Sequence, residues 1–209
     1  MLPADWNAPV DVGVAMNMVV YSSAASVELS VNGKSLGKKP VPPFGVVRYT
    51  ENTDKSTILF SPGKLEATSY DSSGKVVATH TVSTTKGGAR LKLSLDNAGI
   101  GDYRVSGPVG AVAADGQDVA LVRVSVLDAS GAFVPNANHN ISFAVSGPGS
   151  IYGVANGDPN DHDSDKASYR RAFKGLARVI VQAGKQGGTI KLTATADGLV
   201  AGSLYIVSK

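Results

Sequence analysis

The 209-residue sequence contains no cysteine. Disulfides, thiol nucleophiles and thiolate metal sites are therefore excluded. Aromatic residues are scarce, at 6% with a single Trp, so few rings are available for stacking on a ligand. Charge of either sign is also thin: 20 basic and 17 acidic residues give a net charge of +3. A cut near residue 87 leaves 8 basic and 7 acidic residues before it and 12 and 10 after it, so the surplus forms no block. That argues against nucleic acid as the main partner, because phosphate binding needs a concentrated basic patch. No apolar run approaches the ~18 residues of a membrane-spanning helix. The first residues, Met1-Leu2-Pro3-Ala4-Asp5-Trp6, have neither the charged n-region nor the apolar h-region of a signal peptide, and they read as the cut end of a longer chain. The compartment stays open.

What is present is β-patterning. The chain is 43% hydrophobic, which excludes most disordered sequences. Helical periodicity is confined to a poor match at 164–174. Alternation with a period of two recurs instead. Val27, Leu29 and Val31 alternate with Glu28 and Ser30, and Asn32-Gly33 then signals a two-residue hairpin. Strands are expected near 16–21, 27–31, 46–49, 58–60, 65–70 and 76–82 in the first half. In the second half they fall at 91–95, 120–127, 141–145, 177–181, 190–196 and 204–207. Thr84-Thr85-Lys86-Gly87-Gly88 interrupts the pattern. The expectation is an all-β chain of two tandem immunoglobulin-like sandwiches, at 1–86 and 87–209. Both halves carry an Asp-x-Ser-Gly turn, at Asp71 and at Asp128.

Candidate chemistry is sparse. The most polar segment, Asn156 onward, places Asp158, Asp161, Asp163, Asp165 and His162 within ten residues. Such oxygen ligands suit calcium. The segment is no EF-hand, since Lys166 stands where glycine is needed and Ala172 where a bidentate glutamate is needed. A solvated loop explains the same composition. Arg170, Arg171, Lys174 and Arg178 form the one basic cluster, and pairing with the nearby carboxylates is its expected role. Glycan stacking would draw on Trp6, Tyr103, Tyr152 and Tyr169, with Tyr49 a further candidate. Phe60, Tyr70, Phe143 and Tyr205 are expected in the core. Glycoside hydrolysis needs an acid and a second carboxylate. Glu28, Glu51 and Glu66 are the only glutamates, and Glu28 and Glu66 fall on outward strand positions. His80, expected half-buried, His139 and His162 are scattered, and no Gly-x-Ser-x-Gly elbow is present.

An ordered series of segments resembles the C-terminal region of bacterial-type β-galactosidases of glycoside hydrolase family 2. It begins with Val19-Val20-Tyr21-Ser22-Ser23-Ala24 and runs through Val27-Glu28-Leu29-Ser30-Val31-Asn32-Gly33-Lys34-Ser35-Leu36-Gly37. Ser61-Pro62-Gly63-Lys64-Leu65-Glu66-Ala67 and the stretch after Asp71 follow. Then come Ala114-Asp115-Gly116-Gln117-Asp118, Val134-Pro135-Asn136-Ala137, Asn156-Gly157-Asp158-Pro159, Arg170-Arg171-Ala172-Phe173-Lys174-Gly175 and Gly188-Thr189-Ile190-Lys191-Leu192-Thr193-Ala194. Residues 40–56 and 99–110 depart from the family pattern. The resemblance implies a non-catalytic accessory region. The family's catalytic glutamates sit on a (β/α)₈ barrel, which needs about 250 residues by itself. Its partners would be the catalytic domains of the same parent chain, and a glycan in some members. The rival readings are a carbohydrate-binding module and an Ig-like structural or adhesive protein without an enzyme. No cofactor is implied, with calcium at the aspartate loop the alternative.

Overall fold

A computed structural model describes residues 6–7, 11–49, 58–96 and 111–209. Among these the chain is all-β, and no helix is long and apolar enough to cross a membrane. Two compact units are present, Met1–Thr85 and Lys86–Lys209.

The first unit contains β1 (Ala15–Met16), β2 (Met18–Tyr21), β3 (Ser26–Val31), β4 (Lys34–Pro40), β5 (Val46–Tyr49), β6 (Ile58–Leu59), β7 (Lys64–Tyr70) and β8 (Val76–Ser83). A four-stranded sheet runs β4-β3-β7-β8, and β2 pairs with β5 and β1 with β6. The Asn32-Gly33 turn takes φ of 50° and 80°, the primed-turn conformation its sequence predicts. The inward residues Val27, Leu29, Val47, Tyr49 and Leu65 pack with Trp6, Ile58 and Phe60 into one core. β4 is an addition to the strands expected from sequence. It is an edge strand with Gly37 and three lysines, and charged edges of this kind resist pairing with other chains.

The second unit contains β9 (Arg90–Leu95), β10 (Ala111–Val112), β11 (Val119–Leu127), β12 (Asn140–Ser146), β13 (Gly149–Ala155), β14 (Tyr169–Arg171), β15 (Leu176–Ala183), β16 (Gly188–Thr195) and β17 (Gly202–Ser208). It is an immunoglobulin-like sandwich of two sheets, β10-β17-β16-β12-β14 and β13-β15-β11-β9. The core lies between them. Val122, Val124, Val126, Val179 and Val181 face Ile141, Ile190, Leu192, Ala194 and Ile206, each at most 1% exposed. The alternation of β11 and β15 produces this directly, because every second side chain points inward. The weak helical pattern at 164–174 is a turn followed by β14, not a helix. Phe60 and Phe143 are core residues as expected, whereas Tyr205 is 62% exposed and Tyr70 half-buried. Tyr205 alternates with inward Leu204 and Ile206, so the strand period turns it out.

The two Asp-x-Ser-Gly turns have one geometry. The Asp71 carboxylate accepts from Ser73 N–H, Ser73 Oγ–H and Lys75 N–H at 2.9, 2.6 and 3.0 Å. The Asp128 carboxylate accepts from Ser130 N–H, Ser130 Oγ–H and Ala132 N–H at 2.9, 2.6 and 2.9 Å. In each, glycine supplies the positive φ, 85° at Gly74 and 91° at Gly131. The second oxygen of Asp128 also accepts from Lys86 N–H at 3.2 Å.

Candidate functional site

The aspartate loop connects β13 to β14. Short side-chain-to-backbone bonds shape it: Asn156 Oδ1 accepts from Asp158 N–H, Asp158 Oδ1 from Asn160 N–H, and Asp161 Oδ1 from Asp163 N–H. At its centre is Arg170, 2% exposed, which β14 points inward. Its Nη1 lies 3.0 Å from Asp161 Oδ2, and its Nη2 lies 2.8 Å from Asp165 Oδ1. Nη2 also donates to Val154 O (3.3 Å) and Asp163 O (3.2 Å). The cation these carboxylates hold is thus the chain's own guanidinium. Asp163 N–H and then Arg170 hold the Asp161 carboxyl below its ordinary value. The ion pairs of Arg170 include neither Asp158 nor Asp163, and Asp163 is exposed. Among the described residues no three His, Cys, Asp or Glu side chains converge as a metal-ligand set. Of the rest of the basic cluster, Arg178 pairs with Asp96, which Arg123 also contacts at 2.8 Å.

Of the four rings named from sequence, Tyr152 and Tyr169 stand on different sheets of the second unit. Trp6 is 2% exposed, stacks edge-on against Phe60 and donates to Ser61 O at 2.7 Å, so it is core. Tyr103 lies outside the described residues. Tyr152 is 48% exposed, with Lys166 Nζ 3.8 Å from its ring centroid. Tyr169, 39% exposed, stands on β14 in the other sheet. Tyr49 is buried, and its hydroxyl lies 3.0 Å from both Val27 O and Gly37 O. Burial pushes its pKa up to about 12. Among the described residues the most exposed rings are ones that sequence did not single out, Phe44 and Tyr21. Tyr21 was legible, since alternation along β2 turns it away from Val20. Phe44 was not, since nothing in the sequence marks its backbone conformation.

Could the glutamates act on a glycosidic bond? Glu28 and Glu66 are diagonal neighbours on the outward sheet face, by the pairing of Glu28 with Thr68 and Glu66 with Ser30. Glu28 accepts from Ser35 and from Tyr70 Oη–H, the latter at 2.7 Å. Glu66 accepts from Lys64 and from Thr81 Oγ1–H. These bonds lower both carboxyl pKa values, Ser35 first for Glu28 and Lys64 first for Glu66. A glycosidase acid needs the opposite shift, to stay protonated near neutrality. His80 is exposed, not half-buried, and lies on β8 away from any carboxylate pair.

Glu51 lies outside the described residues, and known proteins resemble this chain in both of its units. Residues 109–205 match the family described as glycoside hydrolase family 2 C-terminal domain 5. Residues 13–78 match the family described as Domain of unknown function (DUF4982). Among curated proteins, the chain is 35% identical over 180 residues to "Beta-galactosidase BoGH2A" of Bacteroides ovatus, covering 86% of this chain and 19% of that protein. It is 34% identical over 194 residues to a "Beta-glucuronidase" of Formosa agariphila, covering 92% and 18%. Among solved structures, a glycosyl hydrolase family 2 member from Bacteroides cellulosilyticus superposes with a TM-score of 0.84 at 28% identity, covering 98% of this chain and 24% of that one. The chain therefore spans about a fifth of the length of the curated relatives it matches. Residues 109–205 carry the C-terminal domain 5 match, and the chain as a whole matches the C-terminal region of family 2 glycoside hydrolases.

Proposed function

We propose that this chain works as the accessory region of a longer glycosidase of β-galactosidase or β-glucuronidase type, bracing the catalytic part and offering surfaces to a subunit or a glycan. One observation carries the reading. The relatives match over nearly all of this chain, while this chain accounts for about a fifth of theirs. A retaining or inverting mechanism needs two carboxyl groups at set separations around a sugar pocket, one of them with a raised pKa. Glu28 and Glu66 have lowered pKa values on an open sheet face, which fits a supporting role. The test is an immunoblot of source cells with an antibody to this segment, paired with activity assays. A band several times the 21.4 kDa of this chain is expected. The isolated chain is expected to leave nitrophenyl β-galactoside and β-glucuronide unhydrolysed. Deleting the region from the parent should lower its thermal stability. A native band at 21.4 kDa, or turnover that follows the purified chain, overturns the proposal.

A further inference from the structure

The connection from β4 to β5 closes as the turn Pro42-Pro43-Phe44-Gly45, with Gly45 N–H donating to Pro42 O at 3.0 Å. Proline followed by a residue of positive φ is the type II arrangement, whose third position calls for glycine. Phe44 occupies that position at φ 74°. A bulky L-residue there crowds its Cβ against the following carbonyl. Burial does not offset the strain, because Phe44 is 100% exposed. The turn is also anchored. Ser22 N–H donates to Gly45 O at 2.9 Å, and a Cβ on Gly45 would fall 2.4 Å from Ser22 O. The chain thus holds a fully solvated phenylalanine in a strained backbone conformation, on an anchored turn, that neither folding nor packing explains. Strained residues of this kind cluster at ligand sites.

The neighbouring surface has matching chemistry. The β2–β5 register sets Tyr21 opposite Val46 and Val19 opposite Arg48. Val47 and Tyr49 point into the core, so Val19, Tyr21, Val46 and Arg48 form the outward face. Tyr21 is 78% exposed and Val19 39%. Arg48 is exposed, is the one charged group of that face, and has no carboxylate partner among the described residues. Diagonal positions of this register lie about 7–8 Å apart, which places the Tyr21 ring and the Arg48 stem within reach of one small ligand.

We propose that Tyr21, Phe44 and Arg48 form a binding site for an anionic pyranoside. The apolar C–H face of the sugar rests on the two rings, and its carboxylate or sulfate pairs with Arg48. A guanidinium pairs bidentately with either oxyanion, and it is the charge complement of a face that carries no acid. Aromatic anchors lose little side-chain entropy on binding, and the fixed turn removes backbone ordering as well. The site deepens the accessory reading above, which supplies the glycan context. Its test uses this chain alone, so a negative result leaves that reading in place.

The experiment is calorimetric titration of the 209-residue chain with tetragalacturonate, its fully methyl-esterified form, and a sulfated galacto-tetrasaccharide. Saturable binding of the carboxylate or the sulfated probe is expected, and the better probe identifies the anion. Arg48→Gln, Tyr21→Ala and Phe44→Gly should each weaken it about tenfold or more, and Phe44→Tyr should retain it. Methyl esterification should weaken tetragalacturonate as Arg48→Gln does. Phe44→Gly relieves the strained φ, so its loss of binding cannot come from unfolding. No saturation by either anionic probe at about 10 mM, or full affinity in Phe44→Gly, overturns the proposal. So does protection of Phe44 from hydroxyl-radical labelling in a longer parent chain when it is labelled here, because the face would then be a protein contact.

Discussion

Replacing Arg170 by methionine tests the account of the aspartate loop. The guanidinium donates to two main-chain carbonyls, Val154 O and Asp163 O, and Val154 is 2% exposed. Hydrogen bonds from a charged donor contribute about 1.5–3 kcal/mol each, so these two alone account for roughly 3–6 kcal/mol. Removing the charge also leaves Asp161 and Asp165 without their cation. At about 4 °C per kcal/mol for a unit of this size, the melting temperature of the second unit should fall by roughly 12–24 °C. Arg170→Lys should recover only part, since an ammonium offers three donors and no fork for four acceptors. The assay is urea unfolding of the whole chain. Far-UV dichroism reads both units, while Trp6, the sole Trp, gives a separate fluorescence signal from the first. A loss under about 1 kcal/mol in Arg170→Met would refute the view that the loop is built around this side chain. The pH dependence has a definite sign. Asp161 has a lowered pKa, so the stability its ionisation brings is complete above the ordinary value of 3.8 and is lost as pH falls through the lowered one. Arg170→Met should flatten that acid limb.

Phe44→Gly should stabilise the fold by about 1 kcal/mol, the αL cost of about 1–2 kcal/mol less part of the unfolded-state entropy that glycine adds. Unchanged or lower stability in urea would remove the strain from the account. Tyr49→Phe should cost about 1–2 kcal/mol, because Val27 O and Gly37 O lose their shared donor. The Tyr49 pKa is raised to about 12, so its contribution is present below pH 10 and lost as pH rises through that value. Spectrophotometric titration should accordingly find one tyrosine ionising last. Asp128, held down to about 2 first by Ser130 Oγ–H, keeps its contribution above 3.8 and loses it as pH falls toward 2. Asp128→Asn should be less stable at pH 7 and close to wild type at pH 2 in thermal melts.

Much of the strand content could be read from residues. β11 and β15 announce themselves by Val or Ala at every second position, with Arg, Ser and Gln among the residues between. β4, β13 and β14 do not. β4 has Gly37 and three lysines and buries little. β13 contains two glycines and a register shift between Ile151 and Gly153, which breaks the period. β14 is three residues long, and its one inward side chain is an arginine. That burial depends on carboxylates and carbonyls contributed by the preceding loop, a tertiary condition that no local pattern displays. The loop's polarity was visible, as was the option that its acids pair with the basic cluster; the choice of Arg170 as their partner was not. Trp6 illustrates the opposite limit. A ring near the chain end gives no local sign of being core, because its contacts with Phe60 and Ser61 are more than fifty residues away. Phe44 is hidden for a third reason. Its importance lies in a φ that its own residue type disfavours.

The twin aspartate turns look like interchangeable parts, yet they differ in what depends on them. Asp71 spends its hydrogen bonds on its own turn, so that hairpin tip is autonomous. Breaking or lengthening the chain at 72–74 should disturb only the tip, making it the place to splice in a tag or a foreign loop. Asp128 has the same internal bonds and a fourth, to Lys86, the first residue of the second unit. There the tip doubles as a mooring. A break at 129–131 would loosen the start of the unit as well as the hairpin, so one turn is a permissive joint and its copy is not.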